Sequence, residues 1–124
     1  MVVDDEEPLA RMIGRTLQRL GYRVIALTSS TEALDLFRKT PQQFDLVVTD
    51  QTMLHMTGNR LAEEMAKIRS DIPIILCSGS EELPATEKAA PSVRKTIRKP
   101  FMDDELEKAV RTLLDAAKEL KESG

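Results

Sequence analysis

The stretch Leu46-Val47-Val48-Thr49-Asp50 decides the fold class of this chain, because it is a short apolar run that ends on a carboxylate. Runs of this length, bounded by turn signals, are typical of buried strands in a parallel sheet. Three other runs also end on polar side chains: Val2-Val3 before Asp4 and Asp5, Ile74-Ile75-Leu76-Cys77 before Ser78, and the weaker run Val93 to Arg98 before Lys99. Ligands of open parallel sheets bind at the carboxyl ends of the strands. These five polar side chains therefore predict a crevice for a divalent cation and a phosphoryl group.

Helical patterns alternate with the apolar runs, which predicts βαβ units and one α/β domain of five strands and five helices. Pro8 suits a first helical turn, Gly21 suits a left-handed cap and Pro41 stops the second helix. Ser29 or Ser30 is the expected cap of that second helix. The predicted helices cover about residues 8–21, 30–41, 58–68, 85–90 and 103–121, and a further strand covers residues 24–27.

Composition restricts the class of protein. The 124 residues suit one domain, and 41% hydrophobic with 31% charged residues is typical of a globular chain. A net charge of −3 argues against a general nucleic-acid binder. The sequence shows neither an apolar stretch of membrane-spanning length nor a signal-peptide pattern. The single cysteine, Cys77, excludes an internal disulfide and favours a reducing cytoplasm, where we expect it to be a core residue.

The chain resembles, over essentially its whole length, the receiver domain of two-component response regulators. The resemblance rests on Val2-Val3-Asp4-Asp5-Glu6, Thr49-Asp50 followed by Met53 and Thr57-Gly58, Ser78-Gly79, and Lys99-Pro100-Phe101. It implies a flavodoxin-like (βα)5 three-layer sandwich with strand order 2-1-3-4-5, and a single receiver domain over residues 1–124. The segment of residues 2–79 is most similar to receivers of hybrid sensor kinases. Only three residues precede the acidic pair, so we expect a shortened first strand, either because the chain was cut from a longer protein or because it lacks its leading residues.

The resemblance also implies a role for each site residue. Asp50 is the expected phosphoacceptor, Lys99 would pair with the phosphoryl oxygens, and the Ser78 hydroxyl would donate to another oxygen. His55 is expected to be a solvated loop residue rather than a phosphorelay histidine. The expected Mg²⁺ ligands are Asp4, Asp5, Asp50 and the carbonyl of Thr52.

The function implied is phosphoacceptance in two-component signalling, with no enzymatic activity beyond the domain's own phosphorylation and dephosphorylation. The expected partner is a histidine kinase or a histidine phosphotransfer domain, with a hybrid kinase as a candidate parent chain. No direct nucleic-acid or membrane partner is expected, and a weak homodimer is a candidate form of self-association. The expected location is cytoplasmic.

Three departures from the family pattern affect signal output rather than phosphorylation chemistry. Thr96 stands three residues before Lys99, where the family usually has the aromatic residue that changes rotamer on activation. Leu54 replaces a common proline in the loop after Asp50. Residues 83–97 carry prolines and charges where the family usually has a regular helix and an apolar strand. We therefore expect a phosphorylatable receiver with altered output.

Two alternatives of other classes remain open. One is a receiver-like interaction module that is never phosphorylated, which the altered output segment favours and the five intact site residues oppose. The other is a haloacid-dehalogenase-like phosphatase, which also combines an Asp nucleophile, a hydroxyl, a Lys and Mg²⁺. Against it, Thr52 stands where that family has a second Asp, the acidic pair precedes the Lys instead of following it, and the chain is short.

Overall fold

The computed structural model describes residues 1–79 and 89–123, with side chains as far as residue 119. Five parallel strands form one sheet in the order β2-β1-β3-β4-β5, which confirms the predicted order. The strands are β1 (Val2–Val3), β2 (Ala26–Leu27), β3 (Val47–Asp50), β4 (Ile74–Ser78) and β5 (Val93–Arg98). The chain runs from β1 to one side of the sheet and then returns past β1 to build the other side. This reversal opens a crevice between β1 and β3 at their carboxyl ends.

In the described ranges, three α-helices and one short 3-10 helix lie between strands, and a fourth α-helix follows β5. They are α1 (Glu7–Arg19), α2 (Ser30–Lys39), the 3-10 helix (Pro41–Gln43), α3 (Gly58–Ile68) and α4 (Asp103–Ser123). The predicted short helix at residues 85–90 falls mainly on residues 80–88, which lie outside the described residues, and residues 89 and 90 are not helical. The last predicted helix is therefore α4 here. Within the described ranges, no helix has the length and apolar character needed to cross a membrane.

Two helices, α2 and α3, begin at residues whose side chains cap them. The Ser29 hydroxyl accepts a hydrogen bond from the Glu32 N–H at 3.3 Å, so Ser29, not Ser30, caps α2. Thr57 caps α3 through the N–H of Arg60 at 3.2 Å. Past the end of α1, Gly21 adopts a φ of 97°, which a residue with a side chain rarely tolerates. These termini fix the loops that enter and leave the sheet.

Two hydrophobic clusters cover the two faces of the sheet and create three layers. Successive strand residues alternate between the clusters, as the period of two in a strand requires. One cluster, on the side of α2 and α3, contains Val3, Phe37, Val47, Leu61, Met65 and Ile74. The other, on the side of α1 and α4, contains Val2, Ile13, Leu17, Val48, Ile75, Leu106 and Val110. Burial of both faces explains why consecutive residues of the central strands, such as Val47-Val48 and Ile74-Ile75, are apolar, rather than every second one.

Strand boundaries differ slightly from the predicted ones. Asp50 and Ser78 are the last residues of β3 and β4 rather than the residues after them. The strand predicted at residues 24–27 shortens to two residues, because its neighbour β1 offers only Val2 and Val3 for pairing. The polar strand β5 lies at the edge of the sheet, as its composition predicts.

Candidate functional site

The site begins with the register between β1 and β3. Val3 is the partner of Thr49 in this parallel pair, so Asp4 and Asp50, one residue further along, come side by side at the carboxyl edge. Both acids are buried, at 1% and 8% exposure, whereas Asp5 is exposed. Oxygen atoms of all three carboxylates lie within 4.8 Å of one another. Hard oxygen ligands at this spacing suit a divalent cation such as Mg²⁺, which retains several waters and needs few protein ligands.

Lys99 lies against this acidic cluster. Its Nζ lies 3.0 Å from Asp50 Oδ1 and 3.2 Å from Asp4 Oδ2. The backbone holds the residue in place, because the Lys99 N–H donates to the Ser78 carbonyl at 2.7 Å. The peptide bond between Lys99 and Pro100 is cis. One ammonium group therefore bridges two buried carboxylates.

Burial and charge act in opposite directions on Asp50 and Lys99. Burial is the largest influence on Asp50 and raises the pKa of its carboxyl group; the charge of Asp4 raises it further, and the hydrogen bond from Lys99 offsets this only in part. Burial lowers the pKa of the Lys99 ammonium group, but the hydrogen bond to Asp50 and the charges of Asp4 and Asp50 outweigh it, so the pKa is raised. The site therefore keeps its lysine protonated and carries more negative charge than Lys99 neutralises.

Thr52 and Ser78 occupy different places around the acidic cluster. A cleft of about 450 Å³ opens over the cluster, and its lining residues are Asp5, Glu6, Asp50, Thr52, Gly79 and Lys99. Thr52 thus faces the cleft. Ser78 is half-buried beside it, and its hydroxyl makes no hydrogen bond to the described part of the chain. That hydroxyl is therefore not committed to another group in the described part of the chain.

The loop between β3 and α3 contains features that the sequence did not predict. Gly58 packs against the backbone of Asp50: a Cβ added there would lie 2.9 Å from the Asp50 carbonyl carbon. The Leu54 N–H donates to Asp5 Oδ2 at 3.3 Å, and the Leu54 carbonyl accepts from the Ser30 hydroxyl at 3.2 Å. Backbone groups make these contacts, so a search for reactive side chains passes over them. The glycine after Thr57 was the only sequence signal of a close approach.

Other predicted features of this region also have a defined place. His55 is exposed on the same loop with a φ of 70°, as expected for a solvated residue, although positive φ is uncommon outside glycine. Thr96 is exposed in the edge strand β5, opposite Leu76 of β4. Cys77 is 1% exposed in the core.

Comparisons with known proteins point to one family. The family model described as "Response regulator receiver domain" matches residues 1–111. The chain is 35% identical over 121 residues to the probable transcriptional regulator ycf27 of Porphyra purpurea, covering 94% of this chain and 47% of that protein. It is 34% identical over 117 residues to the sensor kinase CckA of Brucella abortus, covering 93% of this chain and 12% of that one.

Solved structures give the same result. The crystal structure of a response regulator receiver domain protein from Clostridium thermocellum is similar at a TM-score of 0.86 and 28% identity, and covers 96% of this chain and 95% of the other. The chain spans about half the length of the ycf27 relatives that it matches.

Proposed function

Because the chain belongs to the response regulator receiver domain family, we propose that it accepts a phosphoryl group on Asp50 from a phosphohistidine of a histidine kinase or phosphotransfer domain. The observation that carries this proposal is the position of Lys99 Nζ between Asp50 and Asp4, 3.0 and 3.2 Å away. An ammonium group in this place can pair with a phosphoryl oxygen once the acceptor carboxylate is phosphorylated.

The proposed transfer needs little beyond positioning and charge stabilisation. An Asp50 carboxylate oxygen attacks the phosphorus, the O–P bond forms as the P–N bond breaks, and the imidazole of the partner leaves with the electron pair and takes up a proton. Lys99 pairs with one phosphoryl oxygen, and Ser78 donates its hydroxyl to another. Attack by water on the acyl phosphate later releases inorganic phosphate and restores Asp50.

The proposed metal ligands are Asp4, Asp5, Asp50 and the carbonyl of Thr52. Bound Mg²⁺ would neutralise the carboxylates and the phosphoryl oxygens that gather around the transferring group. The donor set fits such an ion, since its three carboxylates converge and one of them, Asp5, is exposed to solvent. Lys99 alone leaves two of the three negative charges uncompensated.

The partners and the context of the domain belong to the same proposal. The similarity to a sensor kinase supports a hybrid kinase as one candidate parent, and the ycf27 relatives support a transcriptional regulator as another. The domain would be a phosphorelay component rather than an enzyme with a separate substrate. Its cytoplasmic location and weak self-association stay predictions.

Intact mass spectrometry after incubation with acetyl phosphate and Mg²⁺ tests the proposal. We expect the mass of one phosphoryl group to be added to the wild-type chain, and none to be added without Mg²⁺ or in Asp50→Asn. Asp35→Asn is the matched control, because Asp35 lies on the exposed surface of α2 with only an ion pair to Arg38. It should be phosphorylated like the wild type.

The proposal would be contradicted if a folded wild-type chain gained no mass with acetyl phosphate and accepted no phosphoryl group from a histidine kinase. That result would favour the unphosphorylated interaction module. Sustained turnover of a generic phosphomonoester would instead favour the phosphatase alternative.

A further inference from the structure

The loop between β3 and α3 is held at its centre by the two backbone polar groups of one residue, Leu54. Leu54 has an exposed side chain, at 72%, yet both of its backbone polar groups have partners. Its N–H donates to Asp5 Oδ2 at 3.3 Å, and its carbonyl accepts from the Ser30 hydroxyl at 3.2 Å and from the Met56 N–H at 2.8 Å. The contribution of Leu54 to this loop therefore comes from its backbone rather than from its side chain.

The Ser30 hydroxyl joins the Leu54 carbonyl to the start of α2. Ser30 is the first residue of α2, is 2% exposed, and lies 24 positions before Leu54 in the chain. The capping of α2 does not depend on its hydroxyl, because the Ser29 side chain provides the cap. The Ser30 hydroxyl is thus buried at a helix end where its bonded partner is the loop.

The hydrogen bond from Leu54 restricts the side chain of Asp5. Asp5 is the only exposed member of the acidic cluster, and an exposed carboxylate otherwise samples several rotamers. A hydrogen bond to Oδ2 restricts the side chain and leaves Oδ1 for a cation. Ligand-holding groups outside the metal's own ligands commonly set affinity in this way.

We propose that the backbone of Leu54, anchored through its carbonyl by Ser30, is a positioning element whose N–H holds Asp5 ready for a divalent cation and so sets the affinity of the site. The inference rests on the proposed Mg²⁺ site and adds two residues to it that hold no metal themselves. A proline at position 54 would have no N–H to donate to Asp5, so leucine at this position keeps a hydrogen bond that proline would remove. The same anchor holds the loop that carries Thr52.

Titration of the full chain with MgCl₂, followed by amide NMR shifts and by thermal unfolding, tests the proposal. Leu54→Pro deletes the donor, and we expect a dissociation constant for Mg²⁺ about three- to tenfold higher, the effect of losing roughly one hydrogen bond of ordinary strength. Leu54→Ala is the matched variant, because it removes the exposed side chain and keeps the N–H. It should bind Mg²⁺ like the wild type.

Ser30→Ala tests the other end and should weaken Mg²⁺ in the same direction, with Ser30→Thr restoring the affinity. Thr40→Ala is its control, because it deletes a similar hydroxyl, bonded at 3.3 Å to the Leu36 carbonyl at the far end of α2. We also expect the Leu54 amide resonance to move on Mg²⁺ addition in the wild type, which a purely structural role would not require.

Unchanged or tighter Mg²⁺ binding in both Leu54→Pro and Ser30→Ala would overturn the proposal; tighter binding would mean that the N–H competes with the cation for Asp5. A wild-type chain that does not bind Mg²⁺ at all would overturn the metal site itself. The two failures are distinct, since the first leaves the wild-type titration intact.

Discussion

Gly58, the first residue of α3, lies directly against the backbone carbonyl of Asp50, the last residue of β3. A Cβ added at Gly58 would be 2.9 Å from the Asp50 carbonyl carbon and 2.8 Å from Leu76 Cδ1. The Gly58 N–H also donates to the Gln51 carbonyl at 3.0 Å, so the helix start is tied to the end of the strand. A hydrogen atom in place of a side chain is what lets α3 approach Asp50 this closely.

Gly58→Ala should therefore destabilise the domain and displace the backbone of Asp50. Overpacking against rigid backbone costs about 1–3 kcal/mol, which exceeds the gain of at most about 1 kcal/mol in helix propensity. Urea unfolding measures the loss. Gly14→Ala is the control, because its nearest contact would be Val24 Cγ1 at an ordinary 3.5 Å. It should be neutral or more stable, and a Gly58→Ala chain as stable as the wild type would contradict the close contact.

Asp50→Asn should raise stability in metal-free buffer, because the fold disfavours the charged carboxylate. Burial, followed by the charge of Asp4, raises the pKa of Asp50 above its ordinary value of 3.8. As pH rises above 3.8, the unfolded chain releases this proton first, so wild-type stability falls until the folded pKa is passed. Asn never ionises, so its advantage grows through that window and then stays constant. Urea unfolding of both chains from pH 4 to pH 8, in the presence of EDTA, measures the difference.

Addition of Mg²⁺ should reverse this order. A ligand that binds only the folded state stabilises it in proportion to the logarithm of its concentration above Kd, and the Asn variant loses one carboxylate ligand. Asp35→Asn should stay within about 0.5 kcal/mol of the wild type in both buffers, because exposed ion pairs contribute little. A less stable Asp50→Asn chain in EDTA would show that the bond to Lys99 outweighs burial.

Cys77 should be almost unreactive in the folded chain. It is 1% exposed, and burial raises the pKa of its thiol to about 12. Thiol reagents attack the thiolate, so labelling at pH 8 requires the chain to open first. We expect the labelling rate to rise with urea in parallel with the unfolded fraction. Rapid stoichiometric labelling of the native chain would contradict the buried position.

Alkaline pH should also weaken the fold through the same thiol. The unfolded thiol ionises near 9 and the folded one near 12, so the unfolded chain holds fewer protons between these values. Stability from this group is therefore complete below about 9 and is lost as pH rises toward 12. Cys77→Ala has no thiol to ionise. Its free energy of unfolding should therefore fall less than that of the wild type between pH 8 and pH 10.

Sequence alone could predict the parts of the fold that depend on hydrophobic pattern. The runs around Val48 and Ile75 are apolar throughout because both faces of the sheet are covered, and this pattern identifies central parallel strands. It could also predict that Asp4, Asp50 and Lys99 converge, because parallel strands align their carboxyl ends. The structure brings these three together, while their roles in phosphoryl transfer stay predictions.

The remaining features depend on the approach of segments that are distant in sequence. The hydrogen bonds of Leu54 to Asp5 and Ser30 use its backbone N–H and carbonyl, and every residue except proline carries both groups. No side-chain pattern encodes them. Ser30 could be read from sequence only as a helix-capping candidate, and its neighbour Ser29 takes that role.

The exposed position of Thr96 gives the last prediction, which concerns signal output. Thr96 lies in the edge strand β5, opposite Leu76 of β4. Leu76 lies two residues before Ser78, whose register partner in β5 is Arg98. A threonine cannot make the large ring movement that an aromatic residue makes when a hydroxyl moves onto the phosphoryl group.

Beryllofluoride with Mg²⁺ mimics the phosphoryl group. It should therefore shift the amide resonances of Asp50 and Ser78 more than those along β5. Thr96→Tyr should extend the shifts along β5, and Thr112→Tyr, on α4 at the same groove, is the control. Equal shifts along β5 in the wild type would mean that the strand responds without a ring, through its backbone pairing with β4.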